Sequence, residues 1–218
     1  MYLVKGVKPK MLDLYCCQGG ASMGYMRAGF DVTGSDLDEQ PRYPFSFIRG
    51  DALAILMSPV VRQFEVIAAS PPCQRRTKAQ KIQGREHPAL IAPTRELLIA
   101  TGKLYIIENV PACGEDDDPL IDPLELCGAM FGLRTYRHRH FESSVPLTAP
   151  EHPRHEAPTV KMGRPLAEGD WYHAVGNFSN VPYVKADLGV PWMTRDGVRE
   201  CIPPTYTEYL GRQLLEKL

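Results

Sequence analysis

The stretch Ser70-Pro71-Pro72-Cys73 presents one thiol in a setting suited to nucleophilic chemistry. It follows an apolar run, Phe64 to Ala69, that is typical of a buried strand. Two consecutive prolines fix the backbone and cannot extend a strand ladder, so the chain stiffens where it leaves the sheet. A rigid turn that holds one cysteine at the end of a strand favours a nucleophile, although a buried cysteine is often only structural. The rest of the chain has to separate these two interpretations.

Basic residues cluster directly after the cysteine. Residues 75–88 show no apolar period, so we expect a loop there. The polar residues beside the thiol are Gln74, Arg75, Arg76, Lys78, Lys81 and Arg85. The net charge of the chain is only −1, so bulk charge does not indicate a nucleic-acid binder. A basic cluster beside a candidate nucleophile nevertheless favours a phosphate-bearing partner.

A glycine turn near the N-terminus suggests a ligand site. Met11 to Tyr15 reads as a strand, and Gly19 and Gly20 precede a helical pattern that ends at Gly29. Glycines at a helix N-terminus let a ligand approach free backbone N–H groups. A second predicted strand, over residues 30–35, ends at Asp36, about 20 residues further along, where a ribose-binding carboxylate sits in nucleotide-type sites.

The candidate residues share one position in the predicted fold. A third strand, over residues 45–49, precedes Asp51, and a fifth, over residues 104–107, ends at Glu108. Helical patterns at residues 52–57 and 88–101 alternate with these strands, which predicts an α/β fold with parallel β-α-β units. Ligands bind at the carboxyl ends of such strands, where Gly19, Asp36, Asp51, Cys73 and Glu108 all lie.

The second half of the chain is less regular. We expect a helix over residues 124–131, a strand over 137–142 and a C-terminal helix that starts with a capping box, Thr205 to Glu208. Residues 145–170 are rich in proline, histidine and glycine and predict an irregular insert.

Composition sets outer bounds on the type of protein. The chain has 218 residues, 44% hydrophobic and 23% charged, which suits a soluble protein of one α/β domain, or of one domain plus a small lobe. We find no membrane-spanning run and no signal-peptide pattern, and therefore predict a cytoplasmic protein. Six cysteines without a Cys-x-x-Cys spacing predict neither a disulfide scaffold nor a zinc site. A metal site built from Cys127 and nearby histidines (His138, His140, His152, His155) has no convincing spacing, so we predict no metal.

Five motifs together resemble the cytosine-C5 DNA methyltransferase family, especially its small phage-type members. In order along the chain these are Asp13-Leu14-Tyr15-Cys16-Cys17-Gln18-Gly19-Gly20, Ser70-Pro71-Pro72-Cys73-Gln74, Glu108-Asn109-Val110, Arg137-His138-Arg139 and Ile202-Pro203-Pro204. The matches cover residues 11–142 and 190–218. The resemblance implies a Rossmann-like methyltransferase fold, S-adenosylmethionine as cofactor and double-stranded DNA as partner.

The resemblance also implies roles for individual residues. Cofactor contacts fall on Tyr15, Cys16, Gln18, Gly19, Gly20, Asp36, Leu37, Asp51, Ala52 and Pro71. The catalytic set is Cys73, Glu108, Arg139 and its partner Arg137, and the residues after Cys73 contact the nucleic acid. Cys73 adds to C6 of a flipped-out cytosine, Glu108 shares a proton at N3, and Arg139 holds the base oxygen or the thiolate.

The chain departs from the family pattern at several points. Cys17 stands where a glycine is usual, Arg75 and Arg76 replace an aromatic-serine pair, Thr135 replaces a glutamine and Glu200 replaces an asparagine. We expect a catalytic core over residues 1–144, a reduced recognition region over 145–190 and a C-terminal segment, 191–218, that packs back on the core. Because that region is short, target selection falls to the loop, a dimer partner or a helper protein.

Two other functions remain open from the sequence. One is methylation of tRNA cytosine on the same scaffold. The other is a non-catalytic DNA-binding relic, against which the intact Cys73 and Glu108 argue.

Overall fold

A computed structural model describes residues 6–72, 89–112, 118–161 and 163–218. Seven strands form one sheet: β1 Lys10–Leu14, β2 Asp31–Asp36, β3 Ser46–Arg49, β4 Val66–Ala69, β5 Leu104–Asn109, β6 Leu124–Leu126 and β7 Arg139–Ser143. The α-helices of the described ranges are α1 Gly20–Ala28, α2 Ala52–Met57, α3 Ile91–Thr101, α4 Val181–Leu188, α5 Arg195–Glu200 and α6 Pro204–Leu215. Two short 3-10 helices span Pro59–Gln63 and Gly128–Phe131.

The sheet has the order β3-β2-β1-β4-β5-β7-β6 and is mostly parallel. Strands β1 to β5 run in the same direction, while β7 is antiparallel to both β5 and β6. The predicted adjacency of β4 and β5 is confirmed, with Ala69 opposite Ile107. The segments that follow β1, β2, β3, β4 and β5 therefore leave the sheet at one edge, where the candidate residues were predicted.

Helices cover both faces of the sheet, and each strand divides its side chains between them. Met11 belongs to one apolar cluster, which includes α1 and α6, while its neighbour Leu12 belongs to another, which includes α2 and α3. Successive residues of a strand point to opposite faces, so a parallel strand covered on both sides is apolar throughout. This explains why β4, Val66–Ala69, is completely buried.

The C-terminal helix packs tightly against α1. A Cβ atom placed on Gly24 would collide with Thr207 Oγ1 and the Pro204 carbonyl oxygen. The Thr207 hydroxyl donates to the carbonyl of Ala21 over 2.9 Å. The glycine thus lets two helix backbones approach closely, and α6 returns the end of the chain to the glycine turn that precedes α1.

Two local predictions were wrong. Residues 124–131 form a short strand and a 3-10 helix rather than an α-helix, because β6 pairs with β7 and the chain turns at Cys127. The capping box at Thr205 is also absent: α6 begins at Pro204 with Pro203 as its N-cap, and Thr205 Oγ1 is buried without a hydrogen-bond partner. A proline at the first helical position already supplies a suitable backbone angle.

The predicted insert is irregular only in its first part. Apart from one bridge between Thr159 and Trp171, its described residues up to 180 form neither helix nor strand, and α4 follows. Leu166, Tyr172 and Phe178 belong to the same apolar cluster as α1 and α6, so this region packs onto the core. The division at residues 145 and 190 stays a prediction. Among the described helices, none combines the length and the apolar character that crossing a membrane requires.

Candidate active site

The turn after β1 is bent by three residues with positive φ. Tyr15 (φ 60°), Cys17 (φ 47°) and Gly19 (φ 80°) all adopt left-handed backbone angles. Only glycine adopts this region without a steric cost, so the turn stores strain at Tyr15 and Cys17. The Cys17 N–H donates to Asp36 Oδ2 over 3.0 Å, which ties the turn to the end of β2.

The ends of β2 and β3 present two carboxylates and one exposed apolar side chain. Asp36 Oδ1 accepts a long hydrogen bond, 3.3 Å, from the Asp38 N–H. Leu37 is 64% exposed. Asp51 caps α2 by accepting from the Ala54 N–H over 2.9 Å. These side chains surround the edge that the sequence analysis assigned to a nucleotide-like ligand, with Ala52 buried beneath them.

Gln18, a predicted cofactor contact, is bound to the C-terminal part of the chain. Its side chain accepts from the Thr194 N–H over 2.8 Å and donates to Thr194 Oγ1 over 2.9 Å. The Trp192 indole donates to the Gln18 carbonyl over 2.7 Å. Gly20 faces the same segment, since a Cβ there would lie 2.6 Å from the Ile202 carbonyl oxygen. The C-terminal motif therefore packs against the glycine turn.

Glu108 and Arg139 meet beyond the centre of the sheet. Arg139 Nε lies 2.9 Å from Glu108 Oε1, and both side chains are nearly buried. Glu108 is opposite Phe141 in the β5–β7 pair, so Arg139 is its diagonal neighbour on the same face. A buried carboxylate and guanidinium held this way form a charge-assisted contact of fixed geometry.

Asn109 connects β5 to the segment that leads to the candidate nucleophile. Its side-chain amide donates to the Pro71 carbonyl over 2.9 Å, and it is almost completely buried. This hydrogen bond fixes the Ser-Pro-Pro turn relative to Glu108. Asn109 carries no predicted role of its own, and the signal for it was its place inside the Glu-Asn-Val motif.

The predicted nucleophile and the basic residues that follow it lie outside the described residues. This applies to Cys73, Gln74, Arg75, Arg76, Lys78, Lys81 and Arg85. Their roles stay predictions from the sequence.

Arg137 is placed apart from its predicted partner Arg139. Its guanidinium donates to the carbonyls of Cys201 (2.7 Å), Ala174 (3.3 Å), Val198 (3.3 Å) and Arg199 (2.6 Å). Burial lowers the pKa of Arg137 to about 10. Its described contacts hold the C-terminal segment, and none of them joins it to Glu108.

A buried carboxyl that sequence reasoning did not single out lies behind the glycine turn. Ser22 Oγ donates to Asp13 Oδ2, and the Tyr43 hydroxyl donates to Ser22 Oγ over 2.8 Å. Burial raises the pKa of Asp13 to about 7, and the nearby charge of Glu108 adds to the rise. The signal in the sequence was one aspartate inside the apolar strand β1.

Cys17 and Glu200, two residues that depart from the pattern of the resembled family, lie close together. Burial and the nearby charge of Glu200 both raise the pKa of the Cys17 thiol far above its ordinary value. The two residues therefore influence each other directly.

Comparisons with known proteins support the fold. No family model matches the chain, and no curated protein does. Among solved structures, it is similar to the methyltransferase EhMeth of Entamoeba histolytica, at 14% identity and a TM-score of 0.50, over 67% of this chain and 57% of that one.

Two further solved structures match with lower TM-scores. A DNA modification methyltransferase encoded within a prophage of E. coli shares 20% identity over 62% of this chain and 45% of that one, with a TM-score of 0.45. Dnmt2 methyltransferase of S. pombe shares 16% over 62% and 48%, also at 0.45. The chain thus spans about half the length of these structures. The chain has a Rossmann-like α/β fold with a mostly parallel seven-stranded sheet, similar to that of the Entamoeba histolytica methyltransferase.

Proposed function

We propose that this protein transfers a methyl group from S-adenosylmethionine to C5 of cytosine in double-stranded DNA, through a covalent bond between Cys73 and C6. The observation that carries the proposal is the Glu108–Arg139 contact of 2.9 Å beside Asn109, whose side chain holds Pro71. An acid and a guanidinium at the end of β5 stand next to the turn that leads to the thiol. This combination matches the requirements of covalent catalysis at a pyrimidine ring.

The residues at the edge of the sheet fit the proposed cofactor. Each Asp36 oxygen accepts one backbone N–H, from Cys17 or Asp38, and a carboxylate oxygen can accept a second hydrogen bond. Asp36 can therefore hold two ribose hydroxyls. Exposed Leu37 offers an apolar surface to the adenine, and Asp51 faces its polar edge. When bound, S-adenosylmethionine supplies the electrophilic methyl group that the activated C5 takes.

Each catalytic residue has a separate role in the reaction at the cytosine base. The Cys73 thiolate adds to C6, and the electron pair of the C5–C6 double bond moves to C5. Glu108 shares a proton with N3, which makes C6 more electrophilic, and Arg139 fixes Glu108 and the base oxygen. Loss of the C5 proton and then of the thiolate restores the aromatic ring. Arg137 has a positioning role, because its guanidinium holds the carbonyls of the C-terminal segment.

DNA binding rests on the basic loop. A cytosine inside a stacked duplex cannot be reached, so the base has to be flipped out. Arg75, Arg76, Lys78, Lys81 and Arg85 are proposed to contact phosphates around the flipped base.

A trapping experiment tests the proposal. Duplex DNA containing 5-fluorocytosine is incubated with the protein and S-adenosylmethionine, and covalent complexes are counted on a denaturing gel. Fluorine at C5 blocks the final elimination, so we expect a stable adduct with the native protein. Cys73→Ala should abolish it, while Cys113→Ala, which removes another thiol, should leave it intact.

The same experiment separates the competing functions. An adduct with fluorinated tRNA and none with DNA would identify tRNA as the substrate instead of DNA. Absence of any adduct on a cytosine-rich duplex pool, or an adduct that survives Cys73→Ala, would refute the covalent mechanism.

A further inference from the structure

Four side chains with metal-binding atoms converge on the far side of β7 from the proposed active site. They are Cys127, His138, His152 and His155, and their nitrogen and sulfur ligand atoms all lie within 4.8 Å of one another. Cys127 Sγ lies 3.3 Å from His155 Nε2, and His138 Nε2 lies 3.3 Å from His152 Nε2. His152 and His155 are three residues apart, and the fold brings them to Cys127 and His138.

We propose that these four residues bind one zinc ion. Zinc in a tetrahedral site lies about 2.0–2.1 Å from histidine nitrogen and about 2.3 Å from cysteine sulfur. Those bond lengths place two nitrogen ligands about 3.3 Å apart and a nitrogen and a sulfur about 3.6 Å apart in a regular tetrahedron. The two closest pairs of the cluster already have separations of this size.

Local hydrogen bonds orient two of the ligands for metal binding. His152 Nδ1 lies 2.9 Å from the Pro153 carbonyl oxygen, which can only accept, so the ring hydrogen is on Nδ1 and the Nε2 lone pair is available. The Cys127 N–H donates to Met130 Sδ over 3.4 Å, which holds the backbone of this second ligand at the start of the 3-10 helix.

The histidine rings are also held by stacking. His155 stacks on Tyr136, with ring centroids 3.7 Å apart and planes at 19°. Tyr136 in turn contacts Trp171, at 4.6 Å between centroids. Cys127 forms the buried end of the cluster, whereas His152 and His155 are exposed, which leaves a path for the ion from solvent.

Glu125 is the competing ligand nearest to the cluster. Its Oε1 lies 4.0 Å from His138 Nε2, but its Oε2 lies 3.0 Å from His140 Nε2. Because His140 engages this carboxylate, the donor set is three histidines and one cysteine. A site closed by four protein ligands has no open position for substrate and serves structure.

The ion would stabilise a part of the chain that has little regular structure. The residues between β7 and position 161 form neither helix nor strand, apart from the bridge at Thr159, and residues 151–156 are exposed. Zinc would connect His152 and His155 of this segment to Cys127 and His138 of the sheet. His138 lies between Arg137 and Arg139, so the site would also fix the start of β7.

Metal content tests the proposal directly. The full chain is purified from zinc-supplemented medium and analysed by inductively coupled plasma mass spectrometry, with about one zinc per chain expected. Cys127→Ser and His155→Ala should each lower the zinc content at least fivefold. His173→Ala, which removes an exposed histidine that is hydrogen-bonded to Thr159, is the matched control and should retain the zinc.

Cobalt substitution identifies the ligands independently of activity. The Co²⁺-loaded protein should show intense tetrahedral visible bands and a thiolate-to-cobalt charge-transfer band in the near ultraviolet, and Cys127→Ser should lose the charge-transfer band. Circular dichroism verifies that each variant is folded. A folded native protein without zinc or tetrahedral cobalt bands, or zinc loss in Glu125→Gln but not in Cys127→Ser, would overturn the proposal.

Discussion

Asp13 offers the sharpest test of the electrostatics around the proposed site. Its carboxyl is completely buried in β1, accepts from the Ser22 hydroxyl, and has its pKa raised by burial from 3.8 to about 7. A carboxyl whose pKa is higher in the folded state contributes stability that is complete below the unfolded pKa and is lost as pH rises through the folded value. Asp13 should therefore destabilise the protein progressively between pH 4 and pH 7.

The size of the effect follows from the two pKa values. A rise of about 3 pKa units corresponds to about 4 kcal/mol of unfolding free energy at pH values above 7. Between pH 5 and pH 8 the change is about 2–3 kcal/mol, since part of the loss occurs below pH 5. In Asp13→Asn the neutral amide oxygen still accepts from Ser22, so this dependence disappears.

Urea unfolding at several pH values measures the effect. The unfolding free energy of Asp13→Asn relative to the native protein should increase by about 2–3 kcal/mol from pH 5 to pH 8. Asp31→Asn, which removes an exposed carboxylate from β2, is the control for the loss of one charge. A difference that stays constant with pH, or that falls as pH rises, would refute the reasoning.

Two further predictions concern catalysis and packing. Glu108→Gln should lower the methylation rate about 100-fold or more, because it removes the proton shared with N3. The dissociation constant for the cofactor, measured by calorimetry, should stay within about twofold of the native value. Methylation by Glu108→Gln at the native rate would show that Glu108 has no catalytic role. Gly24→Ala should lower the unfolding free energy by about 2 kcal/mol, since the added methyl group collides with Pro204 and Thr207 of α6 and the collision outweighs the gain in helix propensity. A variant more stable than the native protein in urea unfolding would show that α1 and α6 can separate at no cost.

The strands and the candidate residues at their ends were predictable because both signals are local in the sequence. Apolar runs with polar residues at their ends gave β1 to β5, and the parallel arrangement put Gly19, Asp36 and Glu108 at one edge. The diagonal placement of Arg139 beside Glu108 depends on the antiparallel register of β7, which no local pattern contains.

The missed features all depend on contacts between distant parts of the chain. Asp13 gains its raised pKa only after α1 covers β1, and Gln18 binds Thr194 only after the C-terminal segment returns. The convergence of Cys127 with His155 is likewise a product of the fold. Segment 124–131 was predicted as a helix because its apolar spacing suited one, but pairing of β6 with β7 outweighed that weak preference.

The contact between Cys17 and Glu200 means that these two departures from the family pattern should not be treated as separate substitutions. Cys17→Gly alone would relieve a left-handed backbone angle, yet it would also remove the thiol beside Glu200. Changing Glu200 alone would remove a charge that raises the pKa of that thiol. Residues in direct contact do not contribute additively to stability, so the cost of either change depends on which residue occupies the other position. The two positions are coupled. The stability change caused by a single reversion at one position therefore also includes the effect of the residue at the other.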